Sequence, residues 1–425
     1  MIQSPFEDEN LNRNIRFLGF GAAVRALGVA MLYPFITIFL SKVLGIGYLS
    51  IGLLLVLVGV FPLLVSPFGG MAADRVGRRS IFLLTLGVEA ACVALVAASM
   101  LLAFVPGIIA AAAVATMAGG AFAGPALSAY TADLTTVEER SAAYSWQRIG
   151  MNGGYTIGVA AGGSLIYVLG YSTTGFLAAL FMGSSVVMLS LVLSPSPYDL
   201  ARAKGVTDTE SQSLQRPSSV RESFRVLASD RYFLLLCLGF FLMSLAAGQW
   251  SNTLPLYLGS VLNLPTVLVG VALALNGLVV VLGQNQVTKW ATGHMQTSAA
   301  NASILLYFAS YLMLGAMGLG GFGGIVIIGV MLAIVVLTFG ENFGAIPMMT
   351  MPSNLAPPTE IGSYNGVFWV FLGAGSVFAP ALGGFALSVT SNTLLAWGLM
   401  MIPAVPAVVL FARLGKHIPR KANTI

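Results

Sequence analysis

The chain has 425 residues, of which 57% are hydrophobic and only 8% are charged, and its mean hydropathy is +0.90. Ordinary soluble domains carry roughly 25% charged residues, so this composition excludes a water-soluble fold. The formal net charge of +5 is typical of basic loops beside a membrane and requires no nucleic-acid partner.

Apolar stretches long enough to cross a ~30 Å hydrocarbon layer recur along the chain, and a backbone in such a layer must satisfy its hydrogen bonds internally as a helix. We therefore predict an all-α membrane protein with twelve transmembrane helices. The spans are predicted at residues 16–40, 48–71, 80–104, 107–133, 142–169, 173–194, 231–259, 264–288, 297–319, 323–351, 361–388 and 392–414.

The first fifteen residues are polar and acidic, unlike the basic start and short apolar core of a cleaved signal peptide. We therefore expect the first helix to remain in the protein. Of the 20 Lys and Arg residues, 17 fall in segments that this topology assigns to the cytoplasm, and only Lys42 falls outside. This asymmetry predicts a cell-membrane protein with both termini in the cytoplasm.

The loop after span 2 reads GGMAADRVGRRS and fits the pattern G-x-x-x-D-R-x-G-R-R at every fixed position: Gly70, Asp74, Arg75, Gly77, Arg78 and Arg79. In this loop the chain resembles the major facilitator superfamily, and the resemblance covers essentially the whole sequence. It implies a solute transporter whose two six-helix halves rock to expose a binding site to each side of the membrane in turn.

The same loop carries a predicted latch. A carboxylate at a helix end can accept hydrogen bonds from the amides at another helix N-terminus, and arginines can bridge carboxylates. The resemblance implies that Asp74 meets span 11 near Ile361 and that Arg78 pairs with an acid closing span 4, a position that Asp133 fits. The residues assigned to gating are Asp74, Arg75, Arg78, Arg79, Asp133, Glu139 and Arg140. The corresponding loop of the second half, KWATGHMQTS, lacks this pattern.

Span 5 carries a glycine stripe, defined as Gly150, Gly154, Gly158 and Gly162. Residues four apart share one helix face, so the stripe predicts close packing against another helix. The stripe also resembles the glycine motif of proton-coupled drug antiporters, with Val159 in the place of that motif's proline. A version with proline at Pro380 occurs in span 11. Both interpretations stay open.

Residues 195–229 form the longest polar stretch and separate six spans from six. They are predicted to be a cytoplasmic linker between an N-terminal half, residues 1–194, and a C-terminal half, residues 230–425. Val220, Phe224 and Leu227 have the spacing of a short amphipathic helix on the membrane surface. A shift of 221 residues aligns DLTTVEERSAAYSW with NLAPPTEIGSYNGV, so the halves are predicted to be two repeats of one fold.

Four charged residues fall well inside predicted spans, away from the span ends: Arg25, Glu89, Arg148 and Glu341. A charge at that depth costs at least ~2.5–3.5 kcal/mol, so each requires a partner or water. Arg25 and Glu341 lie ~13 Å and ~15 Å from the cytoplasmic ends of their helices at 1.5 Å rise per residue, so we predict that they meet. A static pair that joins two helices is the alternative, and Glu89 is the alternative partner.

Glu341 is the preferred proton-coupling residue, with Arg25 and Glu89 as further candidates. The resemblance implies that spans 1, 4, 7 and 10 line the cavity, which places Glu89 of span 3 nearer the periphery. The repeat counterpart of Glu341 is the uncharged Gly120. Such asymmetry points to function rather than packing, because proton coupling needs a group whose charge changes when access switches.

Further polar and aromatic side chains in these spans are candidates for solute contact, although each could equally join two helices or anchor a helix at the interface. The candidate substrate-binding residues are Arg25, Gln249, Trp250, Asn252, Asn276, Glu341, Asn342 and Phe343.

We therefore predict a transporter that exports a small organic solute or amphiphilic drug by proton-coupled antiport. The alternatives are a proton-coupled importer of a sugar or organic anion, a lipid scramblase, or a sensor that no longer transports. The sequence has no nucleotide-binding P-loop and no H-E-x-x-H motif, and Cys92 and Cys237 lie inside apolar spans. We expect no enzymatic activity, cofactor or metal. The expected partners are a small-molecule substrate, protons and the lipid bilayer, without nucleic acid, and the expected state is a monomer.

Overall fold

The computed structural model describes residues 13–135, 137–196, 199–200, 226–321, 323–357 and 360–424. These residues are helical, apart from short connections and one isolated bridge between Met295 and Thr424. The linker residues 201–225, with Val220 and Phe224, lie outside the described residues. The boundary between the halves therefore stays a prediction.

The N-terminal half contains six spans, two of which include π-helical turns. In chain order they are span 1, Arg13–Ile38 continued by the π-helical Phe39–Val43; span 2, Tyr48–Val76; span 3, Arg78–Leu101; span 4, Val105–Thr116, the π-helical Met117–Ala123 and Gly124–Leu134; span 5, Val137–Leu169; and span 6, Tyr171–Val192.

The C-terminal half contains six more spans and ends in a short helix. They are span 7, Arg231–Ala247, Gln249–Leu256 and the π-helical Tyr257–Val261; span 8, Thr266–Ala291; span 9, Gln296–Met317; span 10, Ile325–Leu355; span 11, Ile361–Val389; and span 12, Thr393–Met401 with Ala404–His417. The short terminal helix is Arg420–Asn423.

Among the described residues, 11 helices are long and apolar enough to cross a membrane. The helix Val137–Leu169 of span 5 is the twelfth long helix. It begins with the charged segment VEERSAAYSWQR and carries the glycine stripe, which lowers its hydropathy. The twelve-helix architecture predicted from the sequence is confirmed, since polar and small residues in span 5 change its hydropathy without changing its helical structure.

The two halves are internally related in the structure as well as in the sequence. The π-helical turns Phe39–Val43 and Tyr257–Val261 end spans 1 and 7 and lie 218 residues apart. The same shift pairs Gly21 with Gly239 and Gly52 with Gly270. Spans 1–3 therefore correspond to spans 7–9 with a shift of 218 residues, whereas the later spans follow the shift of 221.

The glycine stripe of span 5 packs against the backbone of span 1. A methyl group on Gly150, Gly154, Gly158 or Gly162 would overlap the carbonyl oxygens of Gly19, Ala23, Leu27 and Met31, respectively. By contrast, Gly153 of the same helix faces open space. The stripe thus allows a close approach of two helix backbones, as the packing interpretation predicts.

The chain forms two compact units. One contains Met1–Leu44, Leu57–Thr209 and Leu264–Ala274, and the other contains Gly45–Val56, Glu210–Asn263 and Leu275–Ile425. Each unit thus includes a short segment from the other half of the sequence. In the first, Gly163 packs on the carbonyl oxygen of Thr266; in the second, Gly384 packs on that of Tyr48. These contacts are equivalent under the two repeat shifts.

Candidate functional site

A cavity of about 270 Å³ lies in the C-terminal half. Its wall is formed by Phe240, Met243, Ser244, Ala247, Gly248 and Trp250 of span 7, Tyr307 of span 9, Glu341, Gly344, Ala345 and Met348 of span 10, and Leu372 and Ser376 of span 11. Small ligands bind in pockets of this kind, which are mostly apolar with a few placed polar groups.

The cavity lies beside a break in span 7. The helix stops at Ala247 and resumes at Gln249, with Gly248 between the two segments. The hydroxyl of Tyr311 donates hydrogen bonds to the carbonyl oxygens of Ala246, at 3.0 Å, and Ala247, at 3.4 Å. These bonds satisfy carbonyl groups next to Gly248, which keeps right-handed helical dihedral angles and whose amide donates to the carbonyl oxygen of Ser244 at 2.8 Å, so the break is one residue long.

Among the described residues that line the cavity, Glu341 is the sole acidic residue, and none is basic. The amide nitrogen of Asn276 donates to its Oε2 atom at 2.6 Å and to the hydroxyl of Thr338 at 2.9 Å. Among the described residues, no Lys, Arg or His pairs with this carboxyl group. The site therefore holds one carboxyl group that is oriented by an amide but not neutralised by a cation.

Arg25 has a different partner from the one that we predicted. Its Nε atom donates to Oε2 of Glu89 at 2.5 Å, and its Nη2 atom donates to Oε1 at 2.8 Å. The predicted pairing of Arg25 with Glu341 is thus wrong in this structure, and the alternative partner is the observed one. Glu89 is 4% exposed, so its predicted peripheral position is also corrected. The turn of span 3 points its side chain at span 1.

The three candidate substrate-binding residues of span 7 differ in their contacts and in how deeply they are buried. Trp250 lines the cavity. Gln249 is 0% exposed and donates to the carbonyl oxygens of Leu245 and Ala379, so it joins spans 7 and 11. Because these two bonds use both N–H groups of its amide, its predicted contact with a solute is not seen in this structure. Asn252 is half-buried and bonds to Ser251.

The remaining candidates surround Glu341 without lining the cavity. Asn276 is buried and orients the carboxyl group, as described above. Asn342 is 2% exposed and packs against Gly283 of span 8. The ring of Phe343 packs edge-on against Trp290, with ring centroids 4.9 Å apart. Only Trp250 and Glu341 of the predicted set therefore lie in the cavity wall.

Sequence reasoning missed several cavity residues, including Met243, Ser244, Tyr307 and Ser376. The hydroxyl groups of Ser244 and Ser376 lie 2.7 Å apart, and Ser244 also donates to the carbonyl oxygen of Leu372. These bonds join spans 7 and 11 at the wall. Aligning spans 7–9 with spans 1–3 would have marked Met243 and Tyr307, because they correspond to Arg25 and Glu89.

The loop between spans 2 and 3 has the expected arginine contact. The guanidinium of Arg78 forms an ion pair with Asp133 at the end of span 4. Arg79 donates to the carbonyl oxygens of Leu193 and Ser190 at 2.8 and 2.7 Å, and Arg75 is exposed. The contact between Arg78 and Asp133 is confirmed, whereas its gating role stays a prediction.

Three further gating residues stay predictions. The side chains of Asp74, Glu139 and Arg140 lie outside the described residues. Arg148, one of the four charged residues inside predicted spans, is exposed.

The structure also shows a carboxylate cap on span 3 that the sequence interpretation missed. Asp199 accepts hydrogen bonds from the backbone amides of Arg78 at 2.8 Å and Arg79 at 3.3 Å. In the other half, the amide oxygen of Asn423 accepts one from the backbone amide of Thr297 at 3.0 Å. Thus the segment after the sixth span of each half caps the third helix of that half, with a charged group in one half only.

Within the described residues, no group of three or more His, Cys, Asp or Glu side chains could hold a metal ion. Cys92 and Cys237 are buried free thiols.

Comparison with known proteins agrees with this architecture. The family model for the Major Facilitator Superfamily matches residues 18–380. The chain is 25% identical over 375 residues to the uncharacterised MFS-type transporter YqjV of Bacillus subtilis (strain 168), covering 86% of this chain and 84% of that protein. It is 28% identical over 174 residues to multidrug resistance protein 2 of the same strain, covering 40% of each chain.

A crystal structure of the nucleoside transporter NupG has the same fold. The TM-score is 0.73, with 12% sequence identity over 95% of this chain and 98% of that one. At this identity the likeness shows the fold alone, whereas the family model spans most of the chain. The chain therefore belongs to the major facilitator superfamily, as a multi-pass membrane transporter and not an enzyme.

Proposed function

We propose that this transporter exports lipophilic, singly charged cations in exchange for protons, with Glu341 binding the proton and the cation in turn. The observation that carries the proposal is the carboxyl group of Glu341 in a mostly apolar cavity, whose described lining residues include no basic side chain. A lone carboxylate in such surroundings needs a positive partner, and either a proton or a cationic solute supplies one.

The rest of the cavity wall suits the apolar part of such a solute. Trp250, Tyr307 and Phe240 present aromatic rings, whose faces attract cations. Met243 and Met348 add flexible side chains, which adapt to different shapes. A sugar would require a denser set of hydrogen-bonding groups, and an organic anion would require a cation in the wall. The composition of the wall therefore favours a cationic amphiphile.

The exchange follows from competition for one carboxyl group. When the cavity faces the side with the higher proton concentration, protonation of Glu341 removes the charge that holds the cation, and the cation leaves. On the other side the proton leaves and the next cation binds. One binding group that serves both ligands couples their movements, because each displaces the other.

The proposal also includes the direction of transport and the orientation of the chain in the membrane. The distribution of Lys and Arg supports cytoplasmic termini, and the partial relative is named multidrug resistance protein 2, which is in keeping with efflux of drug-like solutes. The intact sequence pattern at Gly70, Asp74 and Gly77 supports a latch that works during alternating access.

The test is solute flux in proteoliposomes with an imposed pH gradient. We expect ethidium, a lipophilic cation, to move against its gradient in response to the proton gradient, and a neutral sugar and an organic anion of similar size to remain where they are. Flux of the sugar or the anion with no flux of ethidium would contradict the proposed substrate class. Ethidium flux that ignores the pH gradient would contradict the coupling.

A further inference from the structure

A chain of hydrogen bonds fixes how the carboxyl group of Glu341 is held. The hydroxyl of Thr338 donates to the carbonyl oxygen of Ile334 at 2.7 Å. A hydroxyl has a single hydrogen, so in its bond of 2.9 Å with the side-chain nitrogen of Asn276 it must be the acceptor. The other N–H of that amide donates to Oε2 of Glu341 at 2.6 Å. Asn276 therefore faces Glu341 as a donor, and its amide group cannot be turned round without losing both bonds.

The second carboxyl oxygen of Glu341 has no such partner. Among the described residues, none donates a hydrogen bond to Oε1, and this oxygen is not fully enclosed by protein atoms. Glu341 is among the described residues that line the cavity, whereas Asn276 and Thr338 are not. The amide thus occupies one oxygen from outside the cavity wall, and Oε1 is the oxygen that stays available to a ligand in the cavity.

The same arrangement decides which oxygen binds the proton. Because Asn276 can only donate, Oε2 of Glu341 accepts its hydrogen bond whether the carboxyl group is charged or neutral. In the neutral form the proton therefore lies on Oε1. In the charged form Oε1 is an acceptor without a donor, which costs free energy in mostly apolar surroundings. The ligand that replaces the proton must therefore supply a hydrogen bond as well as a positive charge.

We propose that Oε1 of Glu341 selects solutes whose positive charge lies on a nitrogen that carries a hydrogen, and that Asn276 is its positioning residue. Such solutes are protonated amines. The inference rests on the proposed function and narrows its substrate class. An N–H group on a cationic nitrogen makes a short, charge-assisted hydrogen bond to a carboxylate. A quaternary ammonium ion has an alkyl group in that place, so it leaves Oε1 without a donor.

Two matched ligands test the selection. N,N-dimethyl-1-naphthylmethylamine is protonated at pH 7 and carries one N–H, whereas trimethyl(1-naphthylmethyl)ammonium has the same charge and ring but no N–H. Titration calorimetry with the purified full-length protein gives the dissociation constant of each. Protons compete with both ligands alike, so the ratio of the two constants reports the difference at the nitrogen. We expect the amine to bind about tenfold more tightly, the ratio that ~1.4 kcal/mol represents at 25 °C.

The ratio is then measured in variants of the carboxyl group and its partner. In Glu341→Gln, Asn276 keeps donating to the remaining side-chain oxygen and directs the new NH2 group at the cavity. The preference for the amine should then fall to about one, since no acceptor faces the ligand. Adding Asn276→Leu removes that constraint, and the new amide can turn its oxygen towards the ligand. The preference should return to about threefold, as a hydrogen bond to a neutral acceptor is weaker.

The matched control is Asn342→Leu in the Glu341→Gln background. Asn342 is also a buried amide beside Glu341, at 2% exposure, and its side-chain nitrogen has no hydrogen-bond partner among the described residues. Its replacement should leave the preference at about one. A residue with a packing role alone would not restore selectivity, so recovery with Asn276→Leu and none with Asn342→Leu would identify Asn276 as the positioning residue.

Equal affinity of the parent protein for the two ligands, or tighter binding of the quaternary ion, would overturn the inference and leave the export of lipophilic cations intact. A full preference for the amine in Glu341→Gln would place the acceptor elsewhere. The absence of recovery with Asn276→Leu would remove the positioning role. If the parent protein bound neither ligand, the proposed substrate class would fail, and this inference would fail with it.

A further variant covers the case in which Glu341→Gln fails to fold or binds neither ligand. Glu341→Asp keeps the carboxyl group but withdraws it from the cavity by one methylene group, so the preference for the amine should decrease. An unchanged tenfold preference in Glu341→Asp would contradict the assignment of the selection to this oxygen, at about the ratio expected for the parent protein.

Discussion

Equivalent positions in the two halves differ in whether they carry buried charged residues. Under the 218-residue shift, Arg25 and Glu89 of the N-terminal half correspond to Met243 and Tyr307 of the C-terminal half. The first two form an ion pair against Gly119, whereas the second two line an open cavity with Glu341. Among the described residues, Glu89 of the first repeat is thus paired with an arginine, whereas Glu341 of the second has no cationic partner.

This difference distinguishes the residues that both repeats need for packing from a residue that packing does not require. Two copies of a helical repeat need the same packing, so glycine contacts such as those of Gly163 and Gly384 occur in both. Packing does not require an unpaired carboxyl group in one copy. The cost of keeping Glu341 without a cation is therefore an argument for its proposed role in binding protons and solute.

The largest expected effect is the loss of coupling in Glu341→Gln. This change removes the titratable group and mimics its protonated form, so transport driven by a pH gradient should be abolished. Counterflow exchange should remain measurable, since exchange need not release a proton. Ethidium flux in proteoliposomes with and without a pH gradient measures both, and Glu341→Asp is the control that retains a carboxyl group.

Continued uphill transport by Glu341→Gln in response to a pH gradient would contradict the assignment of proton coupling to the C-terminal half. The coupling group would then lie elsewhere, and Glu89 and Asp133 would be the next residues to test.

A stability effect of about 3 kcal/mol is expected when the ion pair of the N-terminal half is broken on one side, because the other charge is stranded. Arg25→Met and Glu89→Gln should each lower the thermal stability strongly, and the double variant should lower it by less than the sum. Thermal unfolding of the parent and the three variants forms a double-mutant cycle. Additive losses would mean that the two residues are not energetically coupled.

The substitution Met243→Arg places an arginine in the C-terminal half at the position equivalent to Arg25. Because Met243 and Glu341 line the same cavity, the new guanidinium should neutralise the carboxylate and fill the space. Binding of benzyltriphenylphosphonium should weaken by at least about tenfold, or ~1.4 kcal/mol, as measured by calorimetry. The control Met243→Leu keeps the size and the apolar character. Unchanged affinity in Met243→Arg would show that the cation binds outside this cavity.

The smallest expected effect concerns the caps of spans 3 and 9. Asp199 accepts hydrogen bonds from two backbone amides and Asn423 from one. A carboxylate at a helix N-terminus also interacts favourably with the helix dipole. Asp199→Ala should therefore cost about 1–2 kcal/mol and Asn423→Ala about 0.5–1 kcal/mol. Thermal unfolding measures both, and a larger loss in Asn423→Ala would reverse the predicted order.

The sequence by itself determined the family, the twelve helices and the contact between Arg78 and Asp133. Span length and hydropathy are local properties, because each helix in a bilayer must satisfy its own backbone. The loop pattern from Gly70 to Arg79 is likewise a short, continuous signal. For the same reason, the glycine spacing of span 5 was sufficient to predict its close packing.

Only the tertiary structure decided which charged residues meet and where the cavity opens. The depth of Arg25 in the bilayer allowed more than one partner, and the rotation of span 3 together with the π-helical turn in span 4 selected Glu89. Gln249 looked available for a solute until its amide was found bonded to the backbone of spans 7 and 11. The direction in which a side chain points depends on how several helices pack together, and the hydrophobic period of a single helix does not contain that information.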